Sequence, residues 1–465
     1  MKLQLLFMVI IGTIALNSCT DDDDETIKEE NKENDITITL SSESYTEDGY
    51  FDGLLYYKIT SNSEMTVIIA KAEKTAEIVA IPKFVKLNEN KYSVTSIGIG
   101  AFKGCRKLKY LTIPEGITSI GSGAFDGCTS LTSITIPEGV TSIGSFAFSG
   151  CTSLTSITIP EGVTSIGQWA FDGCTSLTSI TIPEGVTSIG SKAFEGCTSL
   201  TSITIPESVT NLGSEAFRNC TSLTSIIISK GVTSIGSFAF DGCTSLTSIT
   251  IPKGVTTIGG GAFLNCTSLT SITIPEGVTT IGGEAFRNCT SLTSITIPES
   301  VTNIGSEAFR NCTSLTSITI PEGVTNITDY AFYGCTSLTS VIIPNNVTTI
   351  GDYAFCRCKG LTFLIIPSSV THMRYTAFRE CSELTSVTFF KYYSDNPFVG
   401  CTKIKEFHSK ITNPSHIASL VDLGNGISFL GLSPSNITLY IPKGTYKKYE
   451  EQHWTDLGFK EIIEE

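Results

Sequence analysis

Sixteen cysteines are the residues of this chain with the most chemistry open to them: disulfide exchange, attack as a thiolate, or zinc ligation. Thirteen of them recur at an interval of 23, from Cys105, Cys128 and Cys151 onward to Cys381. Thirteen cannot pair off completely, and each has the same neighbours above and below. The spacing therefore points to a small buried side chain that fills one slot in every repeat. Cys356-Arg357-Cys358 lacks the two-residue gap of a redox pair, and Cys358 belongs to the regular series. The histidines, His372, His408, His416 and His453, stand in no HExxH or other metal-ligand spacing. Ser, His and Asp occur without anything that gathers them into a triad. GIGAFKG, from Gly98, lacks the GxGxxG spacing of a phosphate loop. No catalytic residue, metal or cofactor is expected.

Cys19 has a chemistry of its own. Residues 3–16, LQLLFMVIIGTIAL, form an apolar run too short for a membrane span, which needs about 20 residues, and suited to a signal peptide. Leu16-Asn17-Ser18-Cys19 then sets a small residue before a cysteine, the arrangement of a lipoprotein-processing site. Cys19 would become the first mature residue and carry acyl chains, which makes the membrane a partner through a lipid anchor. Residues 21–35 follow with nine acidic groups against Lys28 and Lys32, half of the net charge of −14. This run resembles the acidic signals that send Bacteroidetes lipoproteins to the outer face of the outer membrane; it also reads as a solvated tether. The negative charge, with no basic cluster to offset it, argues against a nucleic-acid partner.

The elements that position these residues follow from the repeat. A period of 23 signals a solenoid. In residues 131–153, LTSITIPEGVTSIGSFAFSGCTS, Leu131, Ile134 and Ile136 point inward from a short strand while Thr135 faces out. Pro137 ends the strand, Glu138-Gly139 makes a corner, and Val140 and Ile143 return to the core. Gly144 permits the next turn, and Ala147, Phe148 and Cys151 close the coil. Stacking roughly fourteen coils about 4.8 Å apart gives one continuous core about 65 Å long. Its ends need covers. The N-terminal strands ITITL, GLLYYKIT and MTVIIA, with an extra loop or hairpin at FVKLNENKY, supply one; a shortened coil at Pro397-Phe398 and Cys401, then a last strand and an amphipathic helix, supply the other.

The pattern LxxIxIPxxVxxIGxxAFxxC, over roughly residues 76–445, resembles the BspA-like, or Treponema-type, leucine-rich repeats of surface lipoproteins. The terminal IPKGTYKKYE resembles the closing segment of the same proteins. The resemblance implies a β-rich leucine-rich repeat solenoid at the cell surface, with adhesion to host matrix or other cells, and no catalytic residue. The organisation reads as follows: 1–18 lipoprotein signal peptide, 19–35 acidic tether, 36–84 N-terminal β cap, 85–401 solenoid, and 402–465 C-terminal strand and helix cap. The expected address is the outer membrane, lipid-anchored and facing outward.

Comparing the repeats with one another separates constant from variable positions. The outward strand residues are nearly constant, as in Thr132, Ser133 and Thr135, Thr178 and Thr181, or Thr316 and Thr319, which makes a Ser/Thr carpet. Variation concentrates two residues before the AF phenylalanine, where Phe146, Trp169, Phe238, Tyr330 and Tyr353 alternate with Gly, Lys, Glu and Thr. The carpet offers many weak identical contacts and the variable edge offers aromatic anchors. Asn219, Asn265, Asn288 and Asn311 open N-C-T sequons but read as corner residues of the repeat. The expected function is a surface lipoprotein that binds a host matrix or cell-surface protein, a glycan or another microbe. A structural spacer without ligand and a nutrient-binding lipoprotein remain open alternatives.

Overall fold

A computed structural model of the chain describes residues 37–41, 44–374, 376–391, 397–415, 421–422, 428–429 and 432–465. Cys19, the acidic tether, Asn17 and His416 lie outside the described residues.

Each coil uses its sequence twice as a strand. Ser133–Thr135 pairs in parallel with Ser156–Thr158 of the next coil, and Ile134 sits beside Ile157. Ser142–Ile143 pairs in the same way with Ser165–Ile166 on the opposite wall. Between the walls lie Leu131, Val140, Ala147, Phe148 and Cys151, all with no exposed surface. The core is thus columnar, each column holding one residue type, or an apolar equivalent such as Leu212 or Val341, repeated every 23 positions. Fourteen phenylalanines, Phe102 to Phe398, form the largest such column. Phe148 and Phe171 stack with centroids 5.4 Å apart and planes within 3°.

The cysteine column is as the spacing foretold: all fifteen cysteines among the described residues are buried free thiols. The structure adds a reason for sulfur rather than a methyl group. Cys151 Sγ donates to the Phe125 carbonyl at 3.2 Å, and the same bond recurs at Cys174 and Cys197 and on to Cys381. Burial pushes these thiols upward, Cys174 to about 12, so they stay protonated.

Gly144 stands where two coils touch, and its backbone is not left-handed. A Cβ there would lie 2.6 Å from the Ser122 nitrogen. Thr328 occupies the corresponding position once, and its hydroxyl donates to the Ile304 carbonyl at 3.1 Å. There the long inner sheet stops at Asn303–Ile304, and a new one begins at Asn326–Ile327. The seam between them is lined by Ile304, Ile320, Val324, Ile327 and Ala331 and leaves no room for a water molecule.

Both ends are covered by strands. Leu55–Ser61 and Thr66–Ala72 pair antiparallel, and the latter then pairs with Asn90–Ile97 to start the inner sheet. The expected extension is a hairpin of Phe84–Leu87 and Asn90–Ile97, turned by Asn88 and Glu89 at φ 45° and 72°. The coil sheets run past both 85 and 401: Ile78–Ala80 already pairs with Tyr110–Thr112. Glu406–Ser409, Thr438–Ile441 and Glu461–Glu464 extend the other end.

One expectation is corrected here. The helix Tyr446–Glu451 has only six residues and does not end the stack; the strand Glu461–Glu464 does. Six residues are too few to cover a coil, whereas a strand satisfies the edge of Thr438–Ile441 along its whole length. Its Glu464 aligns with the core residue Ile441 and accepts the Tyr446 N–H at 2.8 Å.

Candidate interaction surfaces

Two surfaces carry the candidate residues. On the strand face, Thr132, Ser133, Thr135, Thr178, Thr181, Thr316 and Thr319 are all exposed. The threonines of the Thr132 column are partly spent on the fold. Thr155 Oγ1 donates to the Thr132 carbonyl at 3.1 Å, Thr178 to Thr155 at 3.3 Å and Thr316 to Thr293 at 3.3 Å. Ser133 and Thr135 alternate about the buried Ile134 and point outward.

The carpet is not uniform to its end. In the Thr319 column the next two coils carry Ile342 and Ile365, 71% and 53% exposed. Phe363, 50% exposed, replaces the serine of the neighbouring column. The Ile365 column continues through Thr388 and His408 to Tyr440, where His408 and Tyr440 stack at 4.4 Å and 5°. Earlier in the stack, Ile227 alone interrupts the threonine column. These residues escaped the repeat comparison because it weighed the constant TSIT copies; aligning SVII and FLII with them exposes the change.

The variable edge has a backbone signature that the residue types conceal. Phe146, Trp169, Phe238, Tyr330 and Tyr353 have φ of 58°, 53°, 55°, 55° and 56°, a left-handed conformation uncommon for bulky residues. Gly123 and Gly261, at 61°, occupy the same slot. A second left-handed position precedes each cysteine of the column, filled by glycines such as Gly150, by Asn219, Asn265, Asn288 and Asn311, or by Arg357 and Glu380. Asparagine tolerates that conformation, and here it also builds a ladder: Asn311 Nδ2 donates to Asn288 at 2.9 Å, Asn288 to Asn265 at 2.8 Å and Asn265 to Asp241 at 3.1 Å.

The five slot aromatics are not one site. Phe146 stacks on Trp169 at 4.8 Å and 6°, and Lys192 Nζ lies 5.7 Å from the Trp169 ring. Lys192 leads into an ion-pair cluster with Glu195, Glu215, Arg218 and Asp241. Burial raises the Asp241 carboxyl, against the pull of hydrogen bonds from Asn265 and Arg218. The Phe238 ring lies over Gly261, where a Cβ would meet it at 2.4 Å. Tyr330 stacks on Tyr353 at 4.9 Å, with the Arg310 guanidinium 5.4 Å from Tyr330 and 5.1 Å from Tyr333. Tyr333 and Arg310 lie three residues beyond their slot residues, a second variable column that the sequence comparison passed over.

The model of the BspA type leucine rich repeat region matches residues 95–224, 210–339 and 302–419. The chain belongs to this family. Among solved leucine-rich repeat structures, a leucine-rich repeat protein from Bacteroides ovatus ATCC 8483 is 30% identical. That match covers 77% of this chain and 94% of the other, with a TM-score of 0.63. A leucine rich cell surface protein from Faecalibacterium prausnitzii A2-165 is 28% identical over 77% of this chain and 94% of its own, with a TM-score of 0.47. No curated protein matches the chain. The BspA-type solenoid is typically a binding scaffold rather than an enzyme.

Proposed function

We propose that this chain is a lipid-anchored protein of the outer cell surface whose solenoid binds a protein displayed on another surface, through the C-terminal end of its strand face. It performs no catalysis and binds no nucleic acid. The observation that carries the reading is the exposure of Ile342, Phe363 and Ile365 side by side, at positions that are Ser or Thr in the earlier coils apart from Tyr110 and Ile227. Large apolar side chains gathered on a flat exposed sheet mark a docking surface. Aliphatic isoleucines favour an apolar protein partner over a carbohydrate, whose hydroxyls they cannot satisfy. Of the residues that the sequence proposed for the carpet, Thr316 and Thr319 border this patch in the preceding coil, and the others lie in earlier coils.

The test restores the repeat. Ile342→Thr, Phe363→Ser and Ile365→Thr together install the residues of the other coils, so folding is preserved. Intact cells carrying the wild-type protein should bind at least one member of a panel of matrix and cell-surface proteins, and the triple variant should lose that binding. Binding that survives the triple change removes the strand-face assignment; absence of binding across the panel favours the spacer. Protease accessibility on intact cells, compared with Cys19→Ala, checks the address: a protected wild-type protein excludes an outward-facing role.

A further inference from the structure

The variable slot is empty of side chains in two successive coils, at Gly100 and Gly123. An added Cβ would meet nothing nearer than 3.7 Å at Gly100 and 3.8 Å at Gly123, so both positions open onto space. The next slot holds Phe146, 40% exposed. One face of its ring is covered by Trp169, and the other is turned toward the vacated slots. The remaining slot aromatics are each preceded by an occupied slot. Trp169 and Tyr353 follow other rings, Tyr330 follows Glu307 and Arg310, and Phe238 follows Glu215. Beside the vacated slots, the exposed Lys103 Nζ and the half-buried Asp126 carboxylate form an ion pair at 2.9 Å. Ser122 is exposed on the other side, and Ile99, 82% exposed, borders the step.

We infer that this step is a second binding site, for one pyranose ring of a neutral glycan. The C–H face of the sugar lies on the open face of Phe146, which Trp169 and Lys192 hold from behind. Its hydroxyls donate to Asp126 and accept from Lys103, with Ser122 able to do either. An apolar peptide side chain in the same place would strip water from the ion pair without replacing its hydrogen bonds, which is costly. A nucleotide would bring phosphate to a chain of net charge −14. The site uses none of the strand-face residues of the proposed protein interface and stands or falls separately from it.

The experiment takes the full chain in detergent micelles against a panel of neutral hexasaccharides: α- and β-linked glucans, a xylan fragment and a galactan fragment. Ligand-observed saturation-transfer NMR and titration should show at least one binding with Kd of about 1 mM or tighter, with saturation strongest on pyranose C–H protons. Phe146→Ala should weaken binding about tenfold or more. Gly123→Phe should do the same by filling the step; Phe146 and Phe238 show that the slot accepts phenylalanine, and unchanged thermal melting verifies the fold. The triple strand-face variant should bind the sugar like the wild type. No binding across the panel overturns the inference. So does binding that survives both Phe146→Ala and Gly123→Phe, or binding lost only in the strand-face variant.

Discussion

The coils around Ser133–Thr135 and those around Phe363–Ile366 share one core and differ on the surface. Leu131, Ile134, Val140 and Phe148 have their equivalents in Leu361, Leu364, Val370 and Phe378, all buried. Outside, Ser133 and Thr135 become Phe363 and Ile365. The inner sheet also breaks between these regions, at Thr328. Under the proposed function, the near-identical coils would set a defined spacing, while the departures from the repeat would carry recognition. On this reading the stack has a stalk and a head made from the same fold.

Alkali should erase the comparison, since the thiol column runs through both regions. Burial holds Cys174 near 12, against 9.0 for an ordinary thiol. Above pH 9 the unfolded chain releases thiol protons that the folded chain retains, so the unfolded state binds fewer protons and stability falls as pH rises. Each such thiol contributes about 1.4 kcal/mol per pH unit. With a whole column contributing, denaturant midpoints should collapse between about pH 9 and 11 in stalk and head alike. A flat profile would mean that the thiols ionise without unfolding.

Truncating the ring column should distinguish the middle from the end. Phe217 is stacked between Phe194 and Phe240 with planes within 4°, and Phe217→Ala should cost about 3–5 kcal/mol. Phe398 closes the column at a 23° tilt, and Phe398→Ala should cost less, by denaturant titration. Equal losses would show that the terminal coil is as tightly held as the middle.

Inter-coil contact gives a smaller effect of opposite sign in the two regions. Gly190→Ala places a Cβ 2.6 Å from the Gln168 nitrogen and should cost about 1–3 kcal/mol. Thr328→Gly installs the residue of the other coils where the inner sheet breaks, and should increase amide-exchange protection of Asn326–Ile327. Loss of protection there would mean that the Thr328 hydroxyl bond, not the close approach, holds the seam. Smallest of all, the strand-face triple variant should change stability by only about 0.5 kcal/mol or less, because exposed positions contribute little.

Much of the fold was legible in the sequence because each core column is one residue type, or an apolar equivalent, at a fixed interval. Leu131, Ile134, Ile136, Val140, Ile143, Phe148 and Cys151 are all buried as their alternation implies, and the hairpin at Asn88-Glu89 follows from its offset. What stayed hidden was conformational. Phe146 and Glu215 share no property except a left-handed backbone imposed by the coil, and residue type does not announce it. The thiol donors required knowing that the Phe125 carbonyl faces Cys151. The aromatic edge was legible as a variable column, but its partition into two stacks and the single ring of Phe238 depends on which neighbours are Gly, Lys or Arg. The final strand was missed because EIIE carries too little alternation to outweigh the helical pattern before it.

Glu464, set in a column that is apolar in the earlier coils except at Ser409, makes the stack a self-terminating polymer. An isoleucine there would leave a growing end, on which the first strand of another copy could add and the next after it, without a natural length. A carboxylate makes each such addition the burial of a charge. The degree of polymerisation is therefore written within one polypeptide. Gain or loss of a 23-residue unit changes reach in steps of about 4.8 Å while the terminator stays in place.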